Sequence, residues 1–429
     1  MQIFINPDQH QWSKLATRPQ LSLEFLESAT RNILARVQQS GDAALFALTE
    51  QYDKAKLTSL LVSEEEIQTA NNRLSAELKL AILQAKANIE KFHAAQSRNE
   101  HVIETMPGVK CWRKAVPISK VGIYIPGGTA PLFSTVLMLA VPASLAGCKE
   151  IVLCSPPDSS GQIHDAILFA ASVTGVTKII KAGGAQAIAA LAYGTESVPK
   201  VYKIFGPGNQ YVTKAKQLVN QEGTAIDMPA GPSEVLVLVD ESADPSFVAA
   251  DLLAQAEHGV DSQVMLVTTS REIINQVEKE IDNQLKALPR KEVAQQALQN
   301  SRVLYFAAQE TALDFVNFYA PEHLIINTKN ENEVVEKITD AGSVFIGAFT
   351  PESAGDYASG TNHTLPTNGY AKAYAGVSLD SFIKNITYQQ ISEEGIKHIG
   401  PIVTTMAEAE LLKAHAEAIT IRLQKLKSK

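Results

Sequence analysis

Between residues 121 and 346 short β-rich runs alternate with helix-like stretches, and this alternation limits the possible folds more than any other feature. Val121–Ile125, Ile151–Cys154, Lys178–Ala182 and Val201–Phe205 form a first series of such runs. Val235–Val239, Gln263–Thr268, Val303–Phe306, Leu324–Asn327 and Ser343–Ile346 form a second. Runs this apolar, without an alternating polar face, predict strands covered on both sides. Strands joined through helices predict parallel, doubly wound sheets. Two series predict two α/β domains facing a cleft, each an incomplete Rossmann-like unit. Their helical extensions lie at the two ends of the chain.

At the N-terminal end, Leu23 to Ser40 is amphipathic and stops at Gly41. Ser63 with Glu66 forms a capping-box pattern, and a periodic segment runs from Ser75 to about Gln96. The stretch 347–374 is polar, Gly-containing and aperiodic, a length of loop that is usually either functional or disordered. A helix is expected from about Ala407 to Leu426. Net charge is −8, which leaves no electrostatic footprint for nucleic acid or an anionic membrane, so a small molecule is the expected partner. The apolar run Val136 to Ala146 is interrupted by Pro142 and too short to span a bilayer. No secretory signal opens the chain, and Cys111, Cys148 and Cys154 lack metal or redox spacing, so a cytoplasmic location is expected.

Several segments carry groups that can do chemistry. Gln255 and His258 lie three residues apart near a helix end that Gly259 is expected to cap, so they share a face and can begin a metal or substrate site. On these residues alone, a capping histidine is the simpler reading. Glu322 and His323 sit at the mouth of a strand behind Pro321, offering two proton acceptors of different basicity. Asp356 and His363 lie on the long loop, where an Asx-turn and a solvated histidine are the plain alternative. His415 lies within the apolar stripe of the last helix, and Glu410 lies about 140° round from it. Three Gly-rich strand ends, at Gly127 and Gly128, at Gly183 and Gly184, and at Gly206 and Gly208, present helix N-termini to a ligand. None completes G-x-G-x-x-G. Together they favour a nucleotide held in a non-standard way, although each alone can be a tight βα turn.

Long strings then carry a resemblance. Ile-Pro-Gly-Gly-Thr-Ala-Pro-Leu-Phe from Ile125, Gly-Gly-Ala-Gln-Ala from Gly183, Ile-Phe-Gly-Pro-Gly-Asn from Ile204 and Asp-Met-Pro-Ala-Gly-Pro-Ser-Glu-Val from Asp227 are among them. So are Gln-Ala-Glu-His from Gln255, Pro-Glu-His-Leu-Ile from Pro321 and Glu-Ser-Ala-Gly-Asp-Tyr-Ala-Ser-Gly-Thr-Asn-His from Glu352. From about residue 23 to the C-terminus the chain closely resembles the L-histidinol dehydrogenase family. The resemblance implies a zinc-dependent homodimer that oxidises L-histidinol to L-histidine through L-histidinaldehyde with two NAD. One Zn2+ per subunit would be held by Gln255, His258, Asp356 and His415. Substrate would meet Ser233, Gln255, His258, His323, Asp356, Glu410 and His415, and NAD would lie against Tyr124, Gln186 and Asn209. Glu322 and His323 would be the acid/base pair. The C-terminal segment would reach into the partner subunit's site.

The expected division is an N-terminal segment 1–22, an interrupted α/β domain 23–124 plus 234–376 carrying the zinc and catalytic residues, an NAD-contacting domain 125–233, and a C-terminal helical segment 377–429. Two other chemistries are open to these residues. A zinc-dependent hydrolase of a small amine or imidazole substrate would use the His/Asp set and have no need of the Gly-rich edge. A thiohemiacetal on Cys148 or Cys154 would retain the aldehyde covalently, although nothing near either residue points to a depressed thiol pKa. His363 is a neighbour of the substrate in this picture but stands outside the assigned set.

Overall fold

The computed structural model of the chain describes residues 1–19, 23–97, 101–127, 130–229 and 231–428. Gly128, expected to shape the first Gly-rich turn, and residues 20–22 of the N-terminal segment lie outside the described residues. The chain divides into a large unit, Met1–Ala95 with Ser119–Phe382, and a small one, Gln96–Ile118 with Ile383–Lys429.

The large unit is α/β with two parallel sheets, as the alternation predicts. Strands are numbered along the chain. The wider sheet contains β1 (Gln2–Ile5), β9 (Glu234–Val239), β10 (Gln263–Thr268), β11 (Arg302–Tyr305), β12 (His323–Asn327) and β13 (Ser343–Ile346), in the order β1-β11-β10-β9-β12-β13. Every pairing in it is parallel. Alternate residues of one strand serve opposite faces: Val235, Val237 and Val239 enter one hydrophobic cluster, Leu236 and Leu238 the other. Both sets are apolar because helices cover both faces, which is why the run shows no polar alternation. β1 did not stand out in the sequence. Its four residues are mostly exposed, and it is an edge strand whose partner, β11, lies some three hundred positions away.

The narrower sheet contains β4 (Lys120–Tyr124), β5 (Glu150–Ser155), β6 (Lys178–Lys181), β7 (Lys203–Phe205) and β8 (Ala225–Ile226), in the parallel order β6-β5-β4-β7-β8. In each sheet the winding reverses beside its first α/β strand, so a switch point falls between β4 and β7 and another between β9 and β12. The helix Leu23–Tyr52 is broken at Gly41 (φ 51°, ψ −130°), where the amphipathic pattern stops. Ser63 caps the next helix, accepting from the Glu66 N–H, while the Glu66 carboxylate accepts from the Ser63 N–H at 2.8 Å.

The small unit holds an antiparallel sheet of β2 (Ile103–Met106), β3 (Val109–Pro117) and β14 (Ile383–Ile391), in the order β14-β3-β2. Its C-terminal part is two helices, Glu393–Ala409 and Lys413–Lys427, where one was expected to begin near Ala407. Leu411 (φ 60°) makes the break between them. Among the described residues no helix is long and apolar enough to cross a membrane.

Candidate active site

The helix Gln309–Tyr319 ends at Ala320 in a left-handed conformation (φ 51°), and Pro321 turns the chain into β12. This places Glu322 just before the strand and His323 at its first position, both almost fully buried. They lie at the amino end of β12, opposite to the edge where parallel sheets usually bind ligands. The first residue of β9 holds both. Its N–H, from Glu234, donates to Glu322 Oε2 at 2.9 Å, and its carbonyl lies 3.2 Å from His323 Nδ1. A carbonyl can only accept, so Nδ1 carries a proton and Nε2 is the nitrogen left for chemistry. His323 Nε2 is buried without a hydrogen-bond partner, 3.7 Å from Asp356 Oδ1.

Two carboxylates flank the other ring nitrogen: Glu322 Oε2 and Glu352 Oε1 each lie 3.7 Å from His323 Nδ1. Burial pushes Glu322 up to about 8, with the His323 charge partly offsetting it. Burial likewise pushes Glu352 up to about 8. Burial alone would lower His323, but Glu352, Glu322 and Asp356 overcome it and hold the imidazole well above its ordinary value. Burial also opposes ionisation of Asp356; His323, His363 and His258 outweigh it and keep that carboxyl below its usual range. The result is a proton-rich cluster poised for acid/base work. Sequence reasoning missed Glu352. It begins the short helix Glu352–Tyr357, and only its burial distinguishes it from a surface carboxylate.

Asp244 caps the helix Pro245–Ala256, which ends two residues earlier than the glycine signal implied: Glu257, not Gly259, is its C-cap. Gln255 and His258 nonetheless come together, with the Gln255 amide nitrogen 3.2 Å from His258 Nδ1. Gln255 is fully buried and its amide oxygen has no partner. The His258 imidazole is lowered by burial and by the nearby His323 and Arg290, against the pull of Asp356. It is therefore neutral, the form a metal ligand needs. An unpartnered amide oxygen, a neutral imidazole and an ionised carboxylate suit a cation of Zn2+ type. The atoms of His323, Glu352 and Asp356 also fall within 4.8 Å of one another and form a second arrangement that could hold a metal. Asp356 belongs to both.

Tyr124, Gln186 and Asn209 stand at the carboxyl edge of the narrower sheet. The Tyr124 hydroxyl, at the end of β4, accepts from the Gly184 N–H at 3.0 Å. Gln186 is buried in the first turn of the helix Gly184–Tyr193. Asn209 caps the helix Gln210–Gln221, its side-chain Oδ1 accepting from the Tyr211 and Val212 N–H groups at 3.1 Å. Tyr124 and Asn209 thus flank the β4/β7 switch point. Gly206 makes the close approach there: its φ is 127°, and any Cβ would strike the Tyr124 carbonyl. Asp227 holds that turn by accepting from the Gly206 N–H at 2.8 Å while pairing with the buried Lys216. The sequence showed no acidic residue at the spacing expected for a ribose contact, but the fold brings Asp53 close enough for its charge to bear on the Tyr124 hydroxyl.

Ser233 is half-buried in the turn entering β9. Glu410 and His415 lie on the small unit, at the end of one helix and the start of the next, and both are exposed. Neither cysteine weighed as a nucleophile is suited to it. Burial pushes the Cys148 thiol up to about 11 and Cys154, which is completely buried, higher still.

A family model described as histidinol dehydrogenase matches residues 16–423. A histidinol dehydrogenase of Bacteroides thetaiotaomicron is 61% identical, with 100% of each chain covered. One from Vibrio parahaemolyticus is 54% identical over 94% of this chain and 93% of its own. The crystal structure of histidinol dehydrogenase from Elizabethkingia anophelis superposes with a TM-score of 0.97 at 56% identity, covering 100% of this chain and 99% of that one.

Proposed function

The chain belongs to the histidinol dehydrogenase family, and on that footing we infer that it oxidises L-histidinol to L-histidine through L-histidinaldehyde, delivering two hydrides to NAD. The observation that carries the chemistry is the buried Glu322–His323 pair, held by one backbone residue. Alcohol to carboxylate is a four-electron oxidation, so hydride leaves the same carbon twice: alcohol, two NAD and one water give carboxylate, two NADH and three protons.

In the first half His323 Nε2 takes the hydroxyl proton as hydride passes to the nicotinamide. In the second, Glu322 removes a proton from the water that adds to the aldehyde carbon. His323 then takes a proton from the resulting hydrate as the second hydride leaves. His323 must be neutral to act as this base, and a cation held beside it at Asp356 would offset the carboxylate field that raises it.

We assign the metal to Gln255, His258 and Asp356, with His415 completing the set, and leave Glu352 as a buried neighbour of the base. When bound, the cation would orient the substrate's imidazole and amine nitrogens and offset part of the carboxylate field. On this reading the enzyme is a cytoplasmic homodimer in which the second copy supplies Glu410 and His415. Ser233 would contact the substrate, and NAD would lie against Tyr124, Gln186 and Asn209 in the part formed by residues 125–233. A zinc hydrolase would leave the glycine-shaped edge at Tyr124 and Gly206 without a task.

The test is purified protein with L-histidinol and zinc, with and without NAD. NADH and histidine formation that chelation stops and zinc restores supports the reading. Turnover of an amine or imidazole ester or amide without NAD would replace it.

A further inference from the structure

We propose that Arg18, acting through Glu234, is the positioning residue for the Glu322–His323 pair; the inference rests on the role just assigned to that pair. Arg18 lies where the N-terminal segment passes the wider sheet, and its side chain is 8% exposed against 1% for Glu234. The guanidinium forks onto the carboxylate, Nε to Oε2 at 2.6 Å and Nη2 to Oε1 at 3.0 Å. It donates further to the Tyr319 carbonyl at 2.8 Å and the Ala16 carbonyl at 3.1 Å, and lies 3.7 Å from the centre of the Tyr319 ring. The Tyr319 hydroxyl donates to Gln263 Oε1 at 2.9 Å, with Glu234 Oε2 3.2 Å away.

Glu234 is therefore fixed at its side chain by Arg18 and Tyr319. Its two backbone groups, on the same residue, are the ones that hold Glu322 and His323. A buried ion pair adds little to stability over an apolar substitute, so its worth here lies in geometry. If the fork loosens, Glu234 can rotate, and both the carboxylate that activates water and the nitrogen that takes the substrate's proton move together. No side chain of Arg18 or Glu234 need touch substrate for this. Misplacement by about 1 Å can slow a reaction about a hundredfold.

Arg18→Lys keeps the charge and loses the fork. The metal-loaded variant is expected to lose about tenfold in kcat with KM for NAD within about twofold and KM for histidinol raised by less than the loss in kcat, because the residues proposed to hold NAD are untouched. Its metal content should match the wild type, and its thermal midpoint should fall by no more than about 5 °C. Glu234→Gln should show the same split, and the double variant should be no slower than the worse single one, since both act through one backbone position. Wild-type kcat in folded Arg18→Lys, a loss confined to KM, or additive losses in the double variant would overturn the proposal. Wild-type protein inactive on histidinol would instead sink the functional reading beneath it.

Discussion

His363 Nε2 lies 3.0 Å from the Thr135 hydroxyl, while the other nitrogen of the same ring lies 2.9 Å from the Asp356 carbonyl. Thr135 is in the first turns of the helix Phe133–Ala146, which follows β4, the strand ending at Tyr124. The segment carrying Glu352 and Asp356 is thereby tied to the edge where NAD is proposed to lie. Hydride transfer needs the nicotinamide and the reacting carbon in contact, and this imidazole supplies a rigid link between the elements that would hold each.

Glu322→Gln should separate the two halves of the reaction. The amide oxygen can still accept from the Glu234 N–H, so the pair keeps its geometry, but the base that activates water is gone. Aldehyde oxidation should fall about a hundredfold or more, and alcohol oxidation by less than about tenfold. Single-turnover NADH formation from histidinol and from histidinaldehyde measures each half; equal losses would refute the division of labour.

The two metal arrangements that share Asp356 make different demands. If Gln255 and His258 are ligands, Gln255→Leu and His258→Asn should lower zinc affinity by more than the roughly 10–100-fold typical of outer neighbours. Glu352→Gln should then retain one zinc per subunit by elemental analysis. Loss of metal from Glu352→Gln with retention in the other two would transfer the site to the His323, Glu352 and Asp356 group.

Gly206→Ala probes the β4/β7 switch point. A Cβ there meets the Tyr124 backbone, and the φ of 127° disfavours any side chain. The variant should lose more than about 1 kcal/mol of stability, and KM for NAD should rise with metal content unchanged. An unchanged KM for NAD would separate this turn from cofactor binding.

Asp53 gives a pH signature. Burial pushes its carboxyl up to about 6, and one of its oxygens has no partner. The folded state thus holds a proton that the unfolded chain releases near 3.8. The contribution is fully present below that value and is lost as pH rises through about 6. Two pK units are worth about 3 kcal/mol at most, and solvent screening of this half-buried group reduces that to about 1 kcal/mol. Asp53→Asn should gain stability over the wild type by that amount at pH 7.5 and by little at pH 4.5, by urea unfolding. A gain independent of pH would contradict the assignment.

Much of this was legible in the sequence, and the gaps have physical reasons. Apart from the two-residue β8, too short to register, most strands of both parallel sheets were visible because burial on both faces leaves runs such as Val235–Val239 continuously apolar. β1 and β14 were not, since their pairing partners lie hundreds of residues away and their residues are largely exposed. The end of the helix before His258 was misplaced because Gly259 invites a C-cap that Glu257 already provides. Gln255, His258, Glu322, His323 and Asp356 could be singled out by residue type and place. Glu352, Asp53 and Arg18 could not, because what matters about each is burial beside residues far away in the chain.

If one site performs two successive oxidations, the yield of NADH per histidine reveals it. With zinc-loaded protein, limiting L-histidinol and excess NAD, two NADH should form for each histidine, with no histidinaldehyde left in solution. One NADH per histidinol with aldehyde released, or histidine formed without NADH, would contradict it.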